Sequence, residues 1–193
     1  MAEKRGYRIV LGVTGSIAAF RSADLASAMV KEGWEVHAVL TADGARFLPA
    51  LTLAALTHRP VHTSLWEEGE GGRMSHLDLA QAADVVVVAP ASADFLARAA
   101  HGFAGDVLGA VLLATRAPLV IAPAMNPNMW THPATQENVK TLSSRGVIWA
   151  GPAEGGWPAG RKGRVGWRRP RRSCGRCRRF CGKGRRSERD HQV

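Results

Sequence analysis

The sequence predicts an α/β protein with a three-layer Rossmann-like fold, in which helices cover both faces of a doubly wound parallel sheet. Short apolar runs of strand length alternate with longer, Ala-rich stretches of helical spacing. Most of the runs are continuously apolar, and this is typical of strands that are buried on both faces of a sheet.

Each predicted element has its own local signal. The predicted strands are the apolar runs at 7–13, 35–40, 84–89, 119–122 and 147–149. The predicted helices follow at 17–32, 44–56, 77–83, 93–101, 106–115 and 133–145. The first helix meets a stop signal at Gly33. The Gly- and Glu-rich segment 66–73 interrupts the alternation, so we expect a mobile surface loop there.

Charge divides the chain into a body and a tail. Residues 1–156 hold 12 Lys and Arg against 14 Asp and Glu, whereas residues 157–193 hold 14 against 2. The net charge of +10 therefore belongs to the tail and indicates nothing about the ligand of the body. No stretch approaches the ~18 apolar residues of a membrane span, and no signal peptide precedes the first strand. We expect a cytoplasmic protein.

All three cysteines lie in this Arg-rich tail, at Cys174, Cys177 and Cys181, so the body has no possible disulfide. Three thiols without a well-spaced fourth ligand are a weak signal for zinc, and we assign no metal. Arginine-rich segments can also bind the phosphates of nucleic acids, although this one lacks a helical or heptad pattern.

In doubly wound sheets, ligands bind outside the carboxyl ends of the strands. The segment G-V-T-G-S-I-A at 12–18 joins the first strand to the first helix, and its loop contains Gly15 and Ser16. Glycines, a hydroxyl and a helix N-terminus can hold a phosphate, but the same residues also fit a tight turn with a serine N-cap. Thr41 ends the second strand, where a dinucleotide site needs an acid. This favours a phosphate or FMN over NAD.

Two further segments are candidates for the site. His76 follows the predicted loop and could serve as a base or a carboxylate partner, although a lone histidine is more often a surface residue. The segment P-A-M-N-P-N-M-W at 123–130 is poor in helix and strand formers. It fits either a core-packing loop or a dry pocket in which the Asn126 amide binds a carboxylate.

Together the motifs resemble the homo-oligomeric flavin-containing cysteine decarboxylases, and most closely the branch that acts in coenzyme A biosynthesis. The resemblance covers about residues 6–156. It rests on four segments in the family's order, which are G-V-T-G-S-I-A-A, S-H-L-D-L, A-P-A-S-A-D and P-A-M-N-P-N-M-W. The last segment is highly specific for the family.

The resemblance implies FMN at an interface of a homotrimer or dodecamer, and it leaves open whether the ligase of the pathway is a separate protein. It implies decarboxylation of 4'-phosphopantothenoylcysteine to 4'-phosphopantetheine through a thioaldehyde and an enethiol. His76 and Asn126 would be catalytic, and Asn126 and Met129 would hold the substrate. The implied FMN-binding residues are Gly15, Ser16, Ile17, Thr41, Ser92, Ala93, Asp94 and Ala124.

The sequence departs from the family pattern at two places. Asp94 replaces a common asparagine, so it accepts a hydrogen bond but donates none while ionised. After residue 156 the family has a flap near L-A-C-G-x-x-G-x-G-R-M, whose cysteine donates a proton when the enethiol is reduced. Here Ala159 stands at the position of that cysteine. Read one nucleotide earlier, the codons for 157–167 allow L-A-C-G-E-E-G-P-G-R-M. We hypothesise a frameshift near Gly156 and expect residues 157–193 to be an out-of-frame, disordered tail.

Two rival functions stay open at this point. A flavin prenyltransferase or another flavin enzyme can share the fold, although prenyltransferases usually show T-G-A-S-G in the first loop. A nucleic-acid-binding protein would use the Arg-rich tail and would lose salt-dependent retention on DNA when residues 157–193 are deleted.

Overall fold

The computed structural model describes residues 6–66, 75–156 and 162–166. A parallel five-stranded sheet has the order β2-β1-β3-β4-β5, formed by β1 Arg8–Val13, β2 Glu35–Leu40, β3 Val85–Ala91, β4 Leu119–Pro123 and β5 Ile148–Trp149. The helices are a 3-10 turn at Ile17–Ala19, α1 Phe20–Lys31, α2 Ala42–Phe47, α3 Ala50–Thr57, α4 Ser75–Ala82, α5 Ala93–His101, α6 Val107–Ala114, α7 Pro127–Thr131 and α8 Pro133–Ser144. The predicted doubly wound α/β fold is confirmed.

Both faces of the sheet are covered, because strand side chains alternate between two separate cores. Ile9 and Leu11 pack with α1 and α3 on one face. Val10 and Val86 pack with α4, α5, α6 and α8 on the other face. Within the described residues, no helix is both long and apolar enough to cross a membrane.

Two sequence predictions were wrong in detail. The single helix expected at 44–56 is divided into α2 and α3, because Leu48 takes an extended conformation in front of Pro49. The loop expected at 123–130 contains the short helix α7. Asn126 caps this helix and Pro127 occupies its first position, a pairing that favours a helix start.

A second, antiparallel pair of strands joins β6 Ala153–Gly156 to β7 Lys162–Gly166. This pair joins residues on both sides of the expected boundary between the body, 1–156, and the tail, 157–193. The division of the chain into these two parts stays a prediction. Most of the expected surface loop at 66–73, together with Ala159 and the three cysteines, lies outside the described residues.

At the amino end of β2, the carboxylate of Glu35 contacts three basic side chains. Arg8 Nε lies 3.1 Å from its Oε2, and His37 Nε2 and Arg59 Nη2 lie 3.0 and 3.1 Å from its Oε1. Burial alone raises the pKa of Glu35. The hydrogen bonds from His37 and Arg8 and the charges of Arg59 and Arg8 outweigh burial, so the pKa is lowered from its ordinary value.

We expect Glu35→Gln to lower the free energy of unfolding at pH 7 by up to about 1 kcal/mol. A lowered folded-state pKa adds stability above the unfolded-state pKa, and this stability is lost as pH falls through the folded-state pKa. Urea unfolding of both proteins should therefore converge in acid. Glu32→Gln, at the exposed end of α1, is the control and should show no such convergence. A difference that persists unchanged in acid would contradict the role of the ionised carboxylate.

Candidate cofactor and substrate site

The candidate site lies at the carboxyl edge of the sheet, where the loops after β1, β2, β3 and β4 meet. The chain leaves β1 toward β2 on one side, while β3 is the neighbour of β1 on the other side. This reversal is a topological switch point, and in this strand order it opens the crevice in which α/β proteins bind ligands. The predicted residues of these four loops therefore share one edge.

Four helices begin at this edge, and each is capped by the side chain of a predicted site residue. Ser16 Oγ accepts from Ala18 N at 3.3 Å, and Thr41 Oγ1 accepts from Gly44 N at 3.1 Å. Ser92 Oγ accepts from Phe95 N at 3.1 Å, and Asn126 Oδ1 accepts from Asn128 N at 2.8 Å. The serine N-cap considered for the first loop is thus present. Helix N-termini carry partial positive charge, so the edge favours an anion.

Hydrogen bonds between the loops hold three of them in fixed relative positions. Thr14 Oγ1 donates to Pro90 O at 2.8 Å and accepts from Ser92 N at 2.9 Å. Ser16 Oγ donates to Ala124 O at 3.0 Å. These contacts bring together the predicted residues Ser16, Ser92 and Ala124. Thr14, which is buried, was missing from the predicted site, because no local sequence pattern identifies partners that lie so far along the chain.

An open cleft of about 480 Å³ adjoins the first loop and is lined by Gly15, Asp43, Arg46 and Phe47. Its volume falls within the range of about 300–1,000 Å³ for small-molecule sites. A Cβ on Gly15 would lie 2.6 Å from Asp43 Cβ, so only glycine lets the loop approach α2 this closely. The exposed side chain of Ile17 follows directly after the loop.

Asp94 differs from the other predicted FMN-binding residues in its contacts. Its Oδ2 lies 3.2 Å from Arg98 Nε, and Arg98 also pairs with Asp106, the N-cap of α6. Asp94 and the half-buried Ala93 stand in the first turn of α5, beside Ser92. The carboxylate therefore lies at the edge of the sheet, but its ion pair with Arg98 runs along its own helix.

The predicted substrate-binding residues lie just beyond Ala124. Asn126 is exposed, and its Oδ1 is fixed by the cap of α7. Its Nδ2 has no acceptor among the described residues, so this amide can donate to an incoming carboxylate. Met129 is exposed on the same short helix, whereas Trp130 is buried in the core. The arrangement combines a hydrogen-bond donor with apolar side chains.

His76 is half-buried in the first turn of α4. Because α4 leads into β3, its first turn lies toward the carboxyl edge of the sheet. Within the part of the chain that the structure describes, Nδ1 of His76 and Oγ of the adjacent Ser75 are buried without hydrogen-bond partners. His76 shares this edge with Asn126, but no hydrogen bond joins it to the other predicted residues.

These features fit a flavin mononucleotide. The helix N-termini and the first loop suit its phosphate, the cleft offers room, and the unpartnered atoms of Ser75 and His76 can bond to a polar ligand. Among the described residues, no cluster of His, Cys, Asp or Glu is arranged to hold a metal ion.

Comparison with known proteins supports the same class of ligand. The sequence profile of the Flavoprotein family matches residues 1–159. The coenzyme A biosynthesis bifunctional protein CoaBC of Vibrio cholerae is 44% identical over 155 residues, which are 80% of this chain and 39% of that protein. The chain therefore spans about two fifths of the length of this curated relative.

Two solved structures share the fold over most of their length. The FMN-dependent cysteine decarboxylase SpaF has a TM-score of 0.73 and 38% identity, covering 81% of this chain and 89% of that one. A cysteine-to-serine mutant of PPC decarboxylase, complexed with pantothenoylaminoethenethiol, has a TM-score of 0.76 and 29% identity, covering 86% and 93%.

The fold, the loop cluster and these similarities define a flavin-binding α/β protein. The chain belongs to the Flavoprotein family, and its relatives of known structure include PPC decarboxylase and FMN-dependent cysteine decarboxylases. The family resemblance inferred from the four sequence segments is confirmed.

Proposed function

We propose that this chain binds FMN and uses it to decarboxylate 4'-phosphopantothenoylcysteine to 4'-phosphopantetheine in coenzyme A biosynthesis. The observation that carries the proposal is the hydrogen bond from Ser16 Oγ to Ala124 O. It ties the loop suited to a phosphate to the segment that presents the Asn126 amide. Cofactor and substrate carboxylate can therefore be held side by side.

The contacts at the edge support FMN over a dinucleotide. Thr41 ends β2 with its hydroxyl used to cap α2, so this position offers no carboxylate to the ribose of NAD. Gly15 and Ser16 present a helix N-terminus to a single phosphate. The resemblance adds Ile17, Ser92, Ala93, Asp94 and Ala124 as further flavin contacts.

Within this proposal, the residues of the chain position the substrate and move protons. When bound, FMN supplies the two-electron redox chemistry. His76 takes up the proton that the substrate loses as its thiol carbon is oxidised to a thioaldehyde. Asn126 holds the carboxylate through Nδ2, and Met129 shields it from water. Carbon dioxide then leaves readily because the thiocarbonyl accepts the electron pair, and the product of this step is an enethiol.

We further propose a homotrimer or a dodecamer that receives its substrate from the ligase of the pathway. Ile17, Phe20 and Phe47 lie around the first loop and the cleft and are 62%, 60% and 49% exposed in the single chain. Exposed apolar side chains beside a ligand site are typical of a surface that another subunit covers. Cytoplasmic location stays a prediction.

The purified protein is expected to be yellow and to release FMN, rather than FAD or NAD, on denaturation. The physical reason is the single phosphate position at Gly15 and Ser16, with no acid at Thr41. Absorbance followed by mass analysis of the released cofactor is the measurement. A folded, colourless protein that takes up no flavin on reconstitution would contradict the proposal, and a prenylated flavin product would favour a prenyltransferase.

A further inference from the structure

A buried hydroxyl at the start of α4 lacks a partner. Ser75 is only 4% exposed, and its Oγ makes no hydrogen bond within the described part of the chain. A buried polar atom normally has a partner, because its loss of hydration is otherwise uncompensated. The neighbouring His76 Nδ1 has the same condition. Two adjacent residues thus leave bonding capacity unused at the carboxyl edge of the sheet.

The packing of α4 indicates on which side this hydroxyl lies. Ser75 and Leu79 are one helical turn apart and share a face of the helix. Leu79 is buried in the core that contains Val88 and Leu108. Ser75 therefore continues the buried face by one turn toward the edge where the loops after β1 and β3 lie.

Another buried serine shows how the fold satisfies a purely structural hydroxyl. Ser22, on α1, is fully buried, and its Oγ donates to Ala89 O at 2.6 Å. Thr14 and Thr57 are likewise buried and hydrogen-bonded to main-chain carbonyls. Ser75 has no comparable role in holding the described elements together.

We propose that the Ser75 hydroxyl is a cofactor-binding group that donates a hydrogen bond to the bound flavin. The proposal rests on the proposed function. The ring system of a flavin carries carbonyl oxygens and ring nitrogens that accept hydrogen bonds. A serine hydroxyl can turn to a new partner by rotation about its Cα–Cβ bond, since its staggered rotamers are close in energy. The first loop holds the phosphate, and Ser75 engages the ring.

The test compares Ser75→Ala with Ser22→Ala in the full chain, stripped of flavin and reconstituted with FMN. Ser75→Ala removes an unsatisfied hydroxyl, so the urea midpoint of the apoprotein should be unchanged or higher. The Kd for FMN should rise about 5- to 10-fold, the equivalent of one hydrogen bond, and the visible spectrum of the bound flavin should shift. Ser22→Ala should lower the urea midpoint and leave the spectrum unchanged. Ser75→Cys, a weaker donor of similar size, should give an intermediate Kd.

Three results would overturn the proposal. An unchanged Kd and spectrum in Ser75→Ala would mean that the hydroxyl does not contact flavin. A lowered urea midpoint with unchanged Kd would assign it a structural partner instead. If the unaltered chain binds no FMN, the proposed function fails together with this inference. The two failures are distinguishable, because only in the last case does the parent protein stay colourless.

Discussion

The unaltered chain is expected to release carbon dioxide from 4'-phosphopantothenoylcysteine but to stop at the enethiol. The groups proposed for oxidation and decarboxylation lie within residues 1–156 and include His76 and Asn126. Reduction of the enethiol needs a proton delivered to carbon by a positioned acid. Ala159 stands where the family has its acid cysteine, and its methyl group has no proton to give.

The measurement is mass analysis of the product after anaerobic incubation. We expect a compound two hydrogen atoms lighter than phosphopantetheine. Phosphopantetheine itself should form at least about 100-fold more slowly than in a variant that has the flap cysteine. Restoring the in-frame flap, with cysteine at the position of Ala159, should shift the product to phosphopantetheine.

Two results would contradict this account. Formation of phosphopantetheine at a normal rate by the unaltered chain would remove the role assigned to the missing cysteine. Stop codons in the earlier reading frame of the gene would exclude the frameshift as the origin of residues 157–193.

The second large effect is expected for Asn126→Asp, which should reduce carbon dioxide release at least about 100-fold while FMN stays bound. An aspartate keeps the oxygen that caps α7, so the short helix should persist. It loses the Nδ2 donor and places a negative charge where the substrate carboxylate must bind. In a site of low dielectric constant, this repulsion costs several kcal/mol.

Asn128→Asp is the matched control, because it adds the same charge two residues further along on an exposed side chain. It should retain most of the activity. His76→Asn should also abolish turnover with flavin bound, and its control is His58→Asn. His58 is exposed at the left-handed end of α3, a conformation that asparagine tolerates. Normal turnover in Asn126→Asp or His76→Asn would remove that residue from the site.

The sheet could be predicted from the sequence because buried strands have a local signature. The run 35–40 coincides with β2, and the helix expected at 93–101 coincides with α5. The division between α2 and α3 was also readable, since Pro49 restricts the residue before it. The start of α7 was missed because Asn126 was interpreted as a carboxylate-binding residue. The pair Asn126–Pro127 is also a typical helix start, with Asn as the N-cap and Pro at the first position.

The sequence predicted which loops form the candidate site but not the hydrogen bonds that join them. Parallel strands bring their carboxyl ends together, so the shared edge follows from the fold class alone. The contact from Ser16 to Ala124 joins residues 108 positions apart, and no local pattern specifies such a pair. Thr14 was overlooked for the same reason, because its partners Pro90, in β3, and Ser92, just after β3, lie more than 70 residues further along the chain.

The hydrogen bonds of Thr14 and Ser16 also affect how much conformational entropy the loops lose when a ligand binds. Hydrogen bonds within the chain itself join the loops after β1, β3 and β4. Association then costs little conformational entropy in these loops, because their backbone is preorganised. A substitution that cuts one of these ties should weaken binding through the disorder of the free protein, even where it leaves every ligand contact in place.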